Sequence, residues 1–308
     1  MGSGPGSALP GPVRIVVNPV AGRTARYPCV VDDLAALPGA DVVHTRSPGH
    51  AAEIAAGAAR DGCGTVVAVG GDGTVQEVVG GLVSADALDR VRLGLVPLGT
   101  GNDLARTLGV PDEPHEAAEL LRAGPSRLMD LLEARAEGRS VTAVNFALGG
   151  LAGDIARHVT PERRRLWGGL VYLRGLAAGL SDLRIHRVRL TMDGDVLDPL
   201  RLLAVVVANG RDAGHAIPVA PRARVDDGLL DVVAVLADPP ARIPLTVARV
   251  LSGRHLDAPG VLWRRAERVE VEAEPPMPFN ADGQDLGTGP ASLRVRPRAL
   301  RVVAPPGG

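Results

Sequence analysis

The first third of the chain alternates between short apolar segments and longer segments of helical character. Apolar segments that predict buried strands lie at 13–17, 41–44, 65–69 and 92–97. Segments that predict helices lie at 30–37, at 51–60, from Val75 onward and at 114–122. Because strand and helix alternate four times, the pattern predicts a parallel, doubly wound sheet.

The pattern changes after about residue 125, where strand-like segments dominate. Strands are predicted at 140–146, 187–192, 200–208, 229–236, 268–273, 291–295 and 300–303. Asp193-Gly194 predicts a tight hairpin after the second of these strands. Helices are predicted only at 166–180 and 242–251. We therefore expect an α/β domain at 12–135 and an antiparallel β domain at 136–303, with the option that the last strands return to the first domain.

Two glycine-rich turns follow successive predicted strands. Val69-Gly70-Gly71-Asp72-Gly73-Thr74 precedes a predicted helix for which Thr74 is a candidate N-cap, and Leu98-Gly99-Thr100-Gly101-Asn102-Asp103 opens the next helix. A strand, a glycine turn and a helix together offer backbone N–H groups to a phosphate. A single turn of this kind is equally consistent with a tight connection that binds nothing. Two at successive strand ends would line one crevice at the carboxyl edge of a parallel sheet.

Composition narrows the functional classes. The net charge is −1 and aromatic residues make up 2%, which argues against a nucleic-acid-binding role. The chain contains no lysine, so any phosphate would be held by backbone N–H groups, arginine or a metal ion. Cys29 and Cys63 are expected to be small buried side chains. No signal peptide or transmembrane segment is predicted, so we expect a cytoplasmic protein.

The two turns and several later motifs together resemble the diacylglycerol kinase catalytic domain family, which includes sphingosine kinases and bacterial lipid kinases. The resemblance runs from about Val13 to Val303. The matching motifs are Asn18-Pro19-Val20-Ala21-Gly22, Gly70-Gly71-Asp72-Gly73-Thr74, Pro97-Leu98-Gly99-Thr100-Gly101-Asn102-Asp103, Asn209-Gly210-Arg211, Ala220-Pro221-Arg222-Ala223, Asp227-Gly228-Leu229-Leu230-Asp231 and Asp282-Gly283. The first glycine motif also occurs in NAD kinases and phosphofructokinases, whereas the pair at this distance is more specific to the lipid kinases.

The resemblance implies an NAD kinase- and phosphofructokinase-like nucleotide-binding domain followed by an antiparallel β-sandwich domain, with the active site between them. It implies an ATP- and Mg²⁺-dependent kinase of phospholipid metabolism that phosphorylates the primary hydroxyl of diacylglycerol or a similar lipid. The implied ATP-site residues are Asn18, Pro19, Gly22, Thr45, Gly70, Gly71, Asp72, Gly73, Thr74, Glu77, Thr100, Gly101, Asn102 and Asp103. A structural magnesium is implied at the carbonyls of Arg224 and Leu229 and the carboxylate of Asp227.

The catalytic residues implied by the resemblance are Asp72, in the magnesium-linked network, and Asp282, as the base. The family's Asp-Gly-Glu motif reads Asp282-Gly283-Gln284 here, and an uncharged glutamine cannot accept a proton. Either Asp282 or Asp285 acts as the base, or activity is reduced. Two alternatives stay open, namely a soluble-substrate kinase such as an NAD kinase, and a nucleotide-binding regulatory protein silenced by Gln284.

A lipid acceptor also implies contact with a membrane surface. The cluster Arg163-Arg164-Arg165-Leu166-Trp167 has the composition of an interfacial segment, although the sequence alone favours a solvated basic turn that leads into a packed helix. We therefore expect peripheral binding at the inner membrane surface. A homodimer is a separate expectation.

Overall fold

A computed structural model describes residues 9, 11–150, 184–214, 217–237 and 243–306 of the chain. These residues form two compact units. Unit 1 contains the described residues up to Met129 and those from Arg298 onward, and unit 2 contains the described residues from Asp130 to Pro297.

Unit 1 is a parallel sheet with helices between its strands. Its elements are β1 (Val13–Val17), a short 3₁₀ turn (Thr24–Arg26), α1 (Pro28–Ala35), β2 (Ala40–His44), α2 (His50–Arg60), β3 (Thr65–Gly70), α3 (Asp72–Ser84), β4 (Arg92–Pro97), α4 (Asp103–Leu108) and α5 (Pro114–Ala123). The strands pair in parallel in the order β2-β1-β3-β4. Arg301 and Val302, near the end of the chain, add a further parallel strand beside β4. The predicted parallel sheet is confirmed.

Helices pack against this sheet, so its inner strands β1, β3 and β4 are buried along most of their length, whereas β2 is partly exposed. All six residues of β3 are buried, as expected for a strand with both faces covered. Alternate residues of β1 pack with α1 and α5 in one apolar cluster, which includes Ile15, Leu34 and Leu121. α2 and α3 pack against each other. Their contact is close, because a Cβ on Gly81 would overlap the carbonyl oxygen of Ala52.

Unit 2 is built mainly from antiparallel strands. Its elements are the greater part of β5 (Ser126–Ala136), β6 (Arg139–Ala143), β7 (Phe146–Gly150), β8 (His186–Met192), β9 (Asp195–Ala208), β10 (Leu230–Leu236), α6 (Ile243–Leu251), β11 (Val261–Ala266), β12 (Arg268–Glu274), β13 (Pro278–Ala281), β14 (Gln284–Thr288) and the first part of β15 (Ala291–Val303). Among the described residues, nine strand pairs of this unit are antiparallel, namely β5–β6, β7–β9, β7–β13, β8–β9, β8–β12, β9–β10, β10–β11, β12–β15 and β13–β14.

The longest strand of unit 2, β9, pairs with β7, β8 and β10 and carries a buried apolar end. The predicted hairpin is present between β8 and β9, with positive φ values of 49° at Asp193 and 95° at Gly194, as a tight hairpin turn requires. A large apolar cluster fills this unit and includes Leu190, Val205 and Phe279. The antiparallel character predicted for this half is confirmed.

Several predictions for individual elements were wrong. Strands β5, β11, β13 and β14 were not predicted. The segment predicted as one strand at 140–146 is divided between β6 and β7, and the two strands predicted near the end of the chain form the single strand β15. The predicted helix at 166–180 and the basic cluster at 163–167 lie outside the described residues.

The two cysteines differ in their surroundings. Cys63 is buried, as predicted, but Cys29 is exposed near the start of α1, so the expectation that both are buried was wrong for Cys29. Among the described residues, no helix combines the length and apolar character needed to cross a bilayer.

Candidate active site

The two glycine turns of unit 1 lie in direct contact. A Cβ on Gly71 would lie 2.9 Å from the Cα of Gly99, and a Cβ on Gly99 would overlap the Cα of Gly71. The turns are also hydrogen-bonded, because the backbone N–H groups of Leu98 and Gly99 donate to the carbonyl oxygen of Gly70 at 2.8 and 3.1 Å. Glycine is therefore required at both contact positions by the approach of one backbone to the other.

Asp72 connects the first turn to the helix that follows the second. Its Oδ1 accepts hydrogen bonds from the backbone N–H groups of Asp103 at 2.7 Å and Leu104 at 3.4 Å, at the start of α4. A Cβ on Gly101 would lie 2.7 Å from Oδ2 of Asp72 and 3.7 Å from Oδ2 of Asp103. Two carboxylates therefore border Gly101, and carboxylate oxygens are the ligands that Mg²⁺ prefers.

Asn102 closes the second turn from inside. It has a left-handed backbone with φ of 55°, which asparagine tolerates better than most residues. Its Oδ1 accepts from Gly99 N at 3.0 Å, and its Nδ2 donates to Gly99 O at 3.2 Å and to Asp112 Oδ1 at 3.1 Å. Asp112 also pairs with the Arg23 guanidinium at 2.9 Å. The sequence did not predict the role of Asp112, because no motif surrounds it and the contact depends on the tertiary fold.

The loop after β1 packs against both turns. Asn18 Nδ2 donates to Thr74 Oγ1 at 3.0 Å. A Cβ on Gly22 would lie 2.9 Å from the carbonyl oxygen of Leu98, and Arg23 N donates to the same oxygen at 2.7 Å. The predicted ATP-site loops, at 18–22, 70–74 and 98–103, are therefore brought together within unit 1.

Thr74 has a different role from the one predicted. The N-cap of α3 is Gly71, whose carbonyl oxygen accepts from Thr74 N at 2.9 Å. The Thr74 side chain is only 4% exposed and binds Asn18. Its prediction as the helix cap was wrong, because the helix begins at Asp72, three residues earlier than the apolar periodicity indicated.

The first turn of α3 faces open space. Gly73 and Thr100 are exposed, and among the described residues no heavy atom lies within 4 Å of a Cβ built on Gly73. No packing contact therefore requires glycine at this position. The start of a 13-residue helix carries partial positive charge, and its N–H groups attract anions. A small gap behind the turns is lined by Gly70, Gly71, Asp72, Pro97 and Asn102 on one side and by the buried apolar residues Ala68, Val75, Leu95, Val96 and Ala105.

Thr45 and Glu77 are the remaining predicted ATP-site residues. Thr45 follows β2, and its N–H donates to Val17 O at 2.8 Å at the end of β1. Glu77 lies in α3, and its Oε2 accepts from Ala51 N at 3.2 Å in the first turn of α2. Thr45 is therefore placed at the carboxyl edge of the sheet, and Glu77 has a structural contact with α2.

In unit 2, the Asp282 carboxylate holds the loop between β6 and β7. Its Oδ2 accepts from Val144 N at 2.6 Å and Asn145 N at 3.0 Å, and its Oδ1 accepts from Phe146 N at 3.1 Å. Gln284 is exposed at the start of β14. The alternative base Asp285 is also exposed and pairs with Arg139 at 3.0 Å.

A buried polar group supports the same loop from its other side. Asn209 is fully buried, and its Nδ2 donates to the carbonyl oxygens of Asp130 and Val144, each at 2.9 Å. The Asp130 carboxylate accepts from Gly228 N at 2.7 Å. The Asn209-Gly210 motif was visible in the sequence, but its partner Asp130 lies in an unpredicted strand and carries no motif.

The residues of the implied structural magnesium do not fit that ion as they are arranged. The donor set of two carbonyls and one carboxylate has suitable chemistry. However, Asp227 Oδ1 accepts from Leu229 N at 3.2 Å, and Oδ2 is ion-paired with the Arg265 guanidinium. Within the described part of the chain, no three His, Cys, Asp or Glu side chains gather into a metal-binding group. A cation at Asp227 would have to displace Arg265.

Comparison with known proteins covers both units. Residues 12–134 match the diacylglycerol kinase catalytic domain, and residues 147–304 match the YegS C-terminal NAD kinase beta sandwich-like domain. A Chromohalobacter salexigens protein named "Probable lipid kinase YegS-like" is 33% identical over 261 residues, which cover 84% of this chain and 82% of that protein. A Pseudomonas aeruginosa protein of the same name is 34% identical over 267 residues, which cover 85% and 84%.

Solved structures show the same architecture. The crystal structure of a diacylglycerol kinase from Bacillus anthracis has a TM-score of 0.73 and 25% identity, covering 96% of this chain and 97% of that one. A second crystal structure from that organism has a TM-score of 0.83 and 26% identity, with 96% and 95% covered. An NAD kinase from Archaeoglobus fulgidus, at 15% identity and a TM-score of 0.50 over 94% and 93%, shares the fold. The α/β and β-sandwich architecture is thereby confirmed, and the chain belongs to the family of YegS-like lipid kinases with a diacylglycerol kinase catalytic domain.

Proposed function

We propose that the protein transfers the γ-phosphoryl group of ATP to the primary hydroxyl of diacylglycerol or a closely similar lipid at a membrane surface. The observation that carries the proposal is the contact between the two glycine turns, fixed by Asp72 and Asn102 beside the exposed start of α3. These contacts hold the start of α3 in place, and the N–H groups there suit a triphosphate, because phosphoryl transfer depends on positioning and charge neutralisation.

Charge neutralisation in this site is proposed to depend on backbone N–H groups and Mg²⁺. Arg23 and Arg106, which lie beside the turns, are already paired with Asp112 and Asp103 at 2.9 and 3.2 Å. Asp72 and Asp103 are proposed to hold the metal ion through their carboxylate oxygens. When bound, the ion would neutralise charge on the phosphates.

The remaining predicted ATP-site residues complete the proposed nucleotide site. Asn18, Pro19, Gly22 and Thr45 are proposed on the adenine and ribose side, and Thr100 on the phosphate side. Thr100 is exposed in the second turn, so its hydroxyl is accessible to a ligand. Glu77 is proposed to act indirectly, because its carboxylate binds the first turn of α2.

Asp282 is proposed as the base for the attacking hydroxyl, in addition to its observed contacts with the 144–146 loop. In an Asp282→Asn variant the amide cannot accept the proton, and its nitrogen also replaces one oxygen that accepts backbone N–H groups of the loop. We expect a lower melting temperature and, at temperatures where the variant is folded, a much larger loss of phosphoryl transfer. A folded variant that retains transfer would assign Asp282 to holding the loop alone.

The acceptor can be identified by chromatography of labelled products after incubation with γ-labelled ATP, Mg²⁺ and a panel of lipids and NAD. We expect label in the phosphorylated form of diacylglycerol or a similar lipid. Label in NADP would favour a soluble-substrate kinase. Nucleotide binding without any labelled product would favour a regulatory protein, an alternative supported by the amide of Gln284 in place of a carboxylate.

A further inference from the structure

Three side chains with complementary chemistry meet on the surface of unit 1, apart from the glycine turns. Cys29 is the second residue of α1, and its Sγ lies 3.5 Å from Nε2 of His115, the second residue of α5. Nδ1 of His115 lies 3.4 Å from Oδ2 of Asp33, one turn further along α1. The order thiol, imidazole, carboxylate is that of a nucleophile with a base oriented by a third group.

The Asp33 carboxylate lies within ion-pair distance of the imidazole and faces its Nδ1. Because a carboxylate only accepts hydrogen bonds, it favours the imidazole tautomer that carries its proton on Nδ1. In that tautomer the lone pair of Nε2 faces the Cys29 thiol. The Tyr27 ring lies edge-on to the imidazole, with centroids 6.4 Å apart, and borders it on another side.

The group is open to reagents. Cys29 is exposed, and the side chains of His115 and Asp33 are 47% and 49% exposed. Cys63, the other cysteine of the chain, is buried, and burial raises its pKa above the ordinary value, which disfavours its thiolate. The two cysteines therefore differ in access, and Cys29 also has an imidazole beside its sulfur.

We infer that Cys29 is a nucleophilic thiol and a site of modification by hydroperoxides, with His115 as its base and Asp33 as a positioning residue. The sulfur attacks the distal oxygen of the hydroperoxide, so an S–O bond forms while the O–O bond breaks. The thiol proton passes through His115 to the departing oxygen, which leaves as water or an alcohol. The sulfur is oxidised by two electrons to a sulfenic acid, and the peroxide is reduced.

The inference can be tested on the full chain by mass spectrometry of each cysteine during brief exposure to iodoacetamide at neutral pH. The urea-unfolded chain supplies the reference rate for each thiol. We expect Cys29 to react about tenfold faster in the folded protein than in the unfolded chain, and Cys63 to be protected by folding. Treatment with hydrogen peroxide and dimedone should place the sulfenic acid adduct on Cys29.

Variants separate activation from simple exposure. His115→Gln should lower the Cys29 rate to about that of the unfolded chain, and Asp33→Asn should lower it by a smaller factor. Glu116→Gln, an exposed neighbour on the same helix turn, is the matched control and should leave the rate unchanged. A Cys29 rate that is no faster than in urea, or that is unchanged in a folded His115→Gln variant, would overturn the inference.

Discussion

At the scale of single residues, the glycines of the two turns differ in why a side chain is absent. No packing contact in the part of the chain that the structure describes explains the glycine at position 73, so a ligand is the remaining reason for it. Gly71 and Gly99 are required by backbone contact, whereas a side chain on Gly73 would meet open space. Gly80, further along α3, is in the same situation as Gly73 but lies away from the helix start. The two positions form a matched pair.

We predict that Gly80→Ala stabilises the protein by about 0.5–1 kcal/mol, the difference in helix propensity, without changing ATP affinity. Gly73→Ala should leave the melting temperature unchanged or slightly higher but weaken ATP binding by about tenfold or more, a loss of about 1.4 kcal/mol. Thermal melting and calorimetric titration measure both effects. Equal ATP affinities for the two variants would remove the start of α3 from the nucleotide site.

His255 gives unit 2 a pH-dependent contribution to stability. It is fully buried and donates from Nε2 to Val219 O at 2.9 Å. Burial lowers the pKa of His255 below its ordinary value, although hydrogen bonds to backbone atoms oppose the shift. Because the unfolded chain binds the proton more readily, stability is present above the ordinary histidine pKa of about 6.5 and is lost as pH falls toward the folded pKa.

We therefore predict that the free energy of unfolding of the wild type decreases as pH is lowered through this range. In His255→Gln the amide can still donate a hydrogen bond to Val219 but does not ionise. The free energy of unfolding of this variant should therefore change less over the same pH range than that of the wild type. Urea titrations at several pH values provide the measurement. Identical pH profiles for the two proteins would show that His255 does not contribute.

The sequence identified the residues of the glycine turns because their spacing after each strand is local. It did not identify the hydrogen bonds that hold them, such as Asp72 to Asp103 and Asn102 to Asp112, since these depend on how distant segments meet. The exposure of Cys29 was missed for a related reason. Its apolar neighbours predicted a helix but not which face would be buried.

At the scale of elements, the turn before β10 is held by a charged side chain from β11. Arg265 pairs with Asp227 and lies 3.8 Å from the buried Asp231. Burial raises the pKa of Asp231, while a hydrogen bond from Trp263 Nε1 at 2.7 Å opposes that shift. The guanidinium thus supplies positive charge where the family resemblance implied a metal ion.

We predict that removal of divalent ions with EDTA leaves the melting temperature of the nucleotide-free wild type unchanged. Arg265→Met should lower stability by about 1–3 kcal/mol, because Asp227 loses its ion-pair partner and Asp231 loses one of two nearby guanidinium groups, the other being that of Arg222. Arg264→Met, on the neighbouring exposed residue, is the matched control. Stabilisation of the wild type by Mg²⁺ that disappears in Asp227→Asn would instead place a metal ion at this turn.

The elements of unit 1 were predicted more fully than those of unit 2. Uninterrupted apolar strands such as β3 are clear in the sequence because both of their faces are buried. β5 and β11 contain several charged residues, so their strand pairing is determined by neighbours that are distant in the sequence. β15 was divided in the prediction because the polar residues around Pro297 interrupt its apolar pattern.

At the scale of the whole molecule, one chain carries a unit with coupled glycine turns, the proposed nucleotide site, and a second unit with the proposed base. The last part of β15 returns to unit 1, where it pairs with β4. The family assignment accounts for both units, since each matches its own characteristic domain. The proposed activity then depends on the phosphate site of unit 1.

The most direct measurement is the transfer of label from γ-labelled ATP into the lipid phase by the wild type and by Asp72→Asn. Asparagine keeps an Oδ1 acceptor for Asp103 N and loses only the negative charge at the start of α3, so the variant should melt slightly below the wild type. We predict that the wild type labels lipid and that the variant is slower by about a hundredfold or more. Undiminished transfer by the variant, or no labelled lipid with the wild type at saturating ATP and Mg²⁺, would contradict the account.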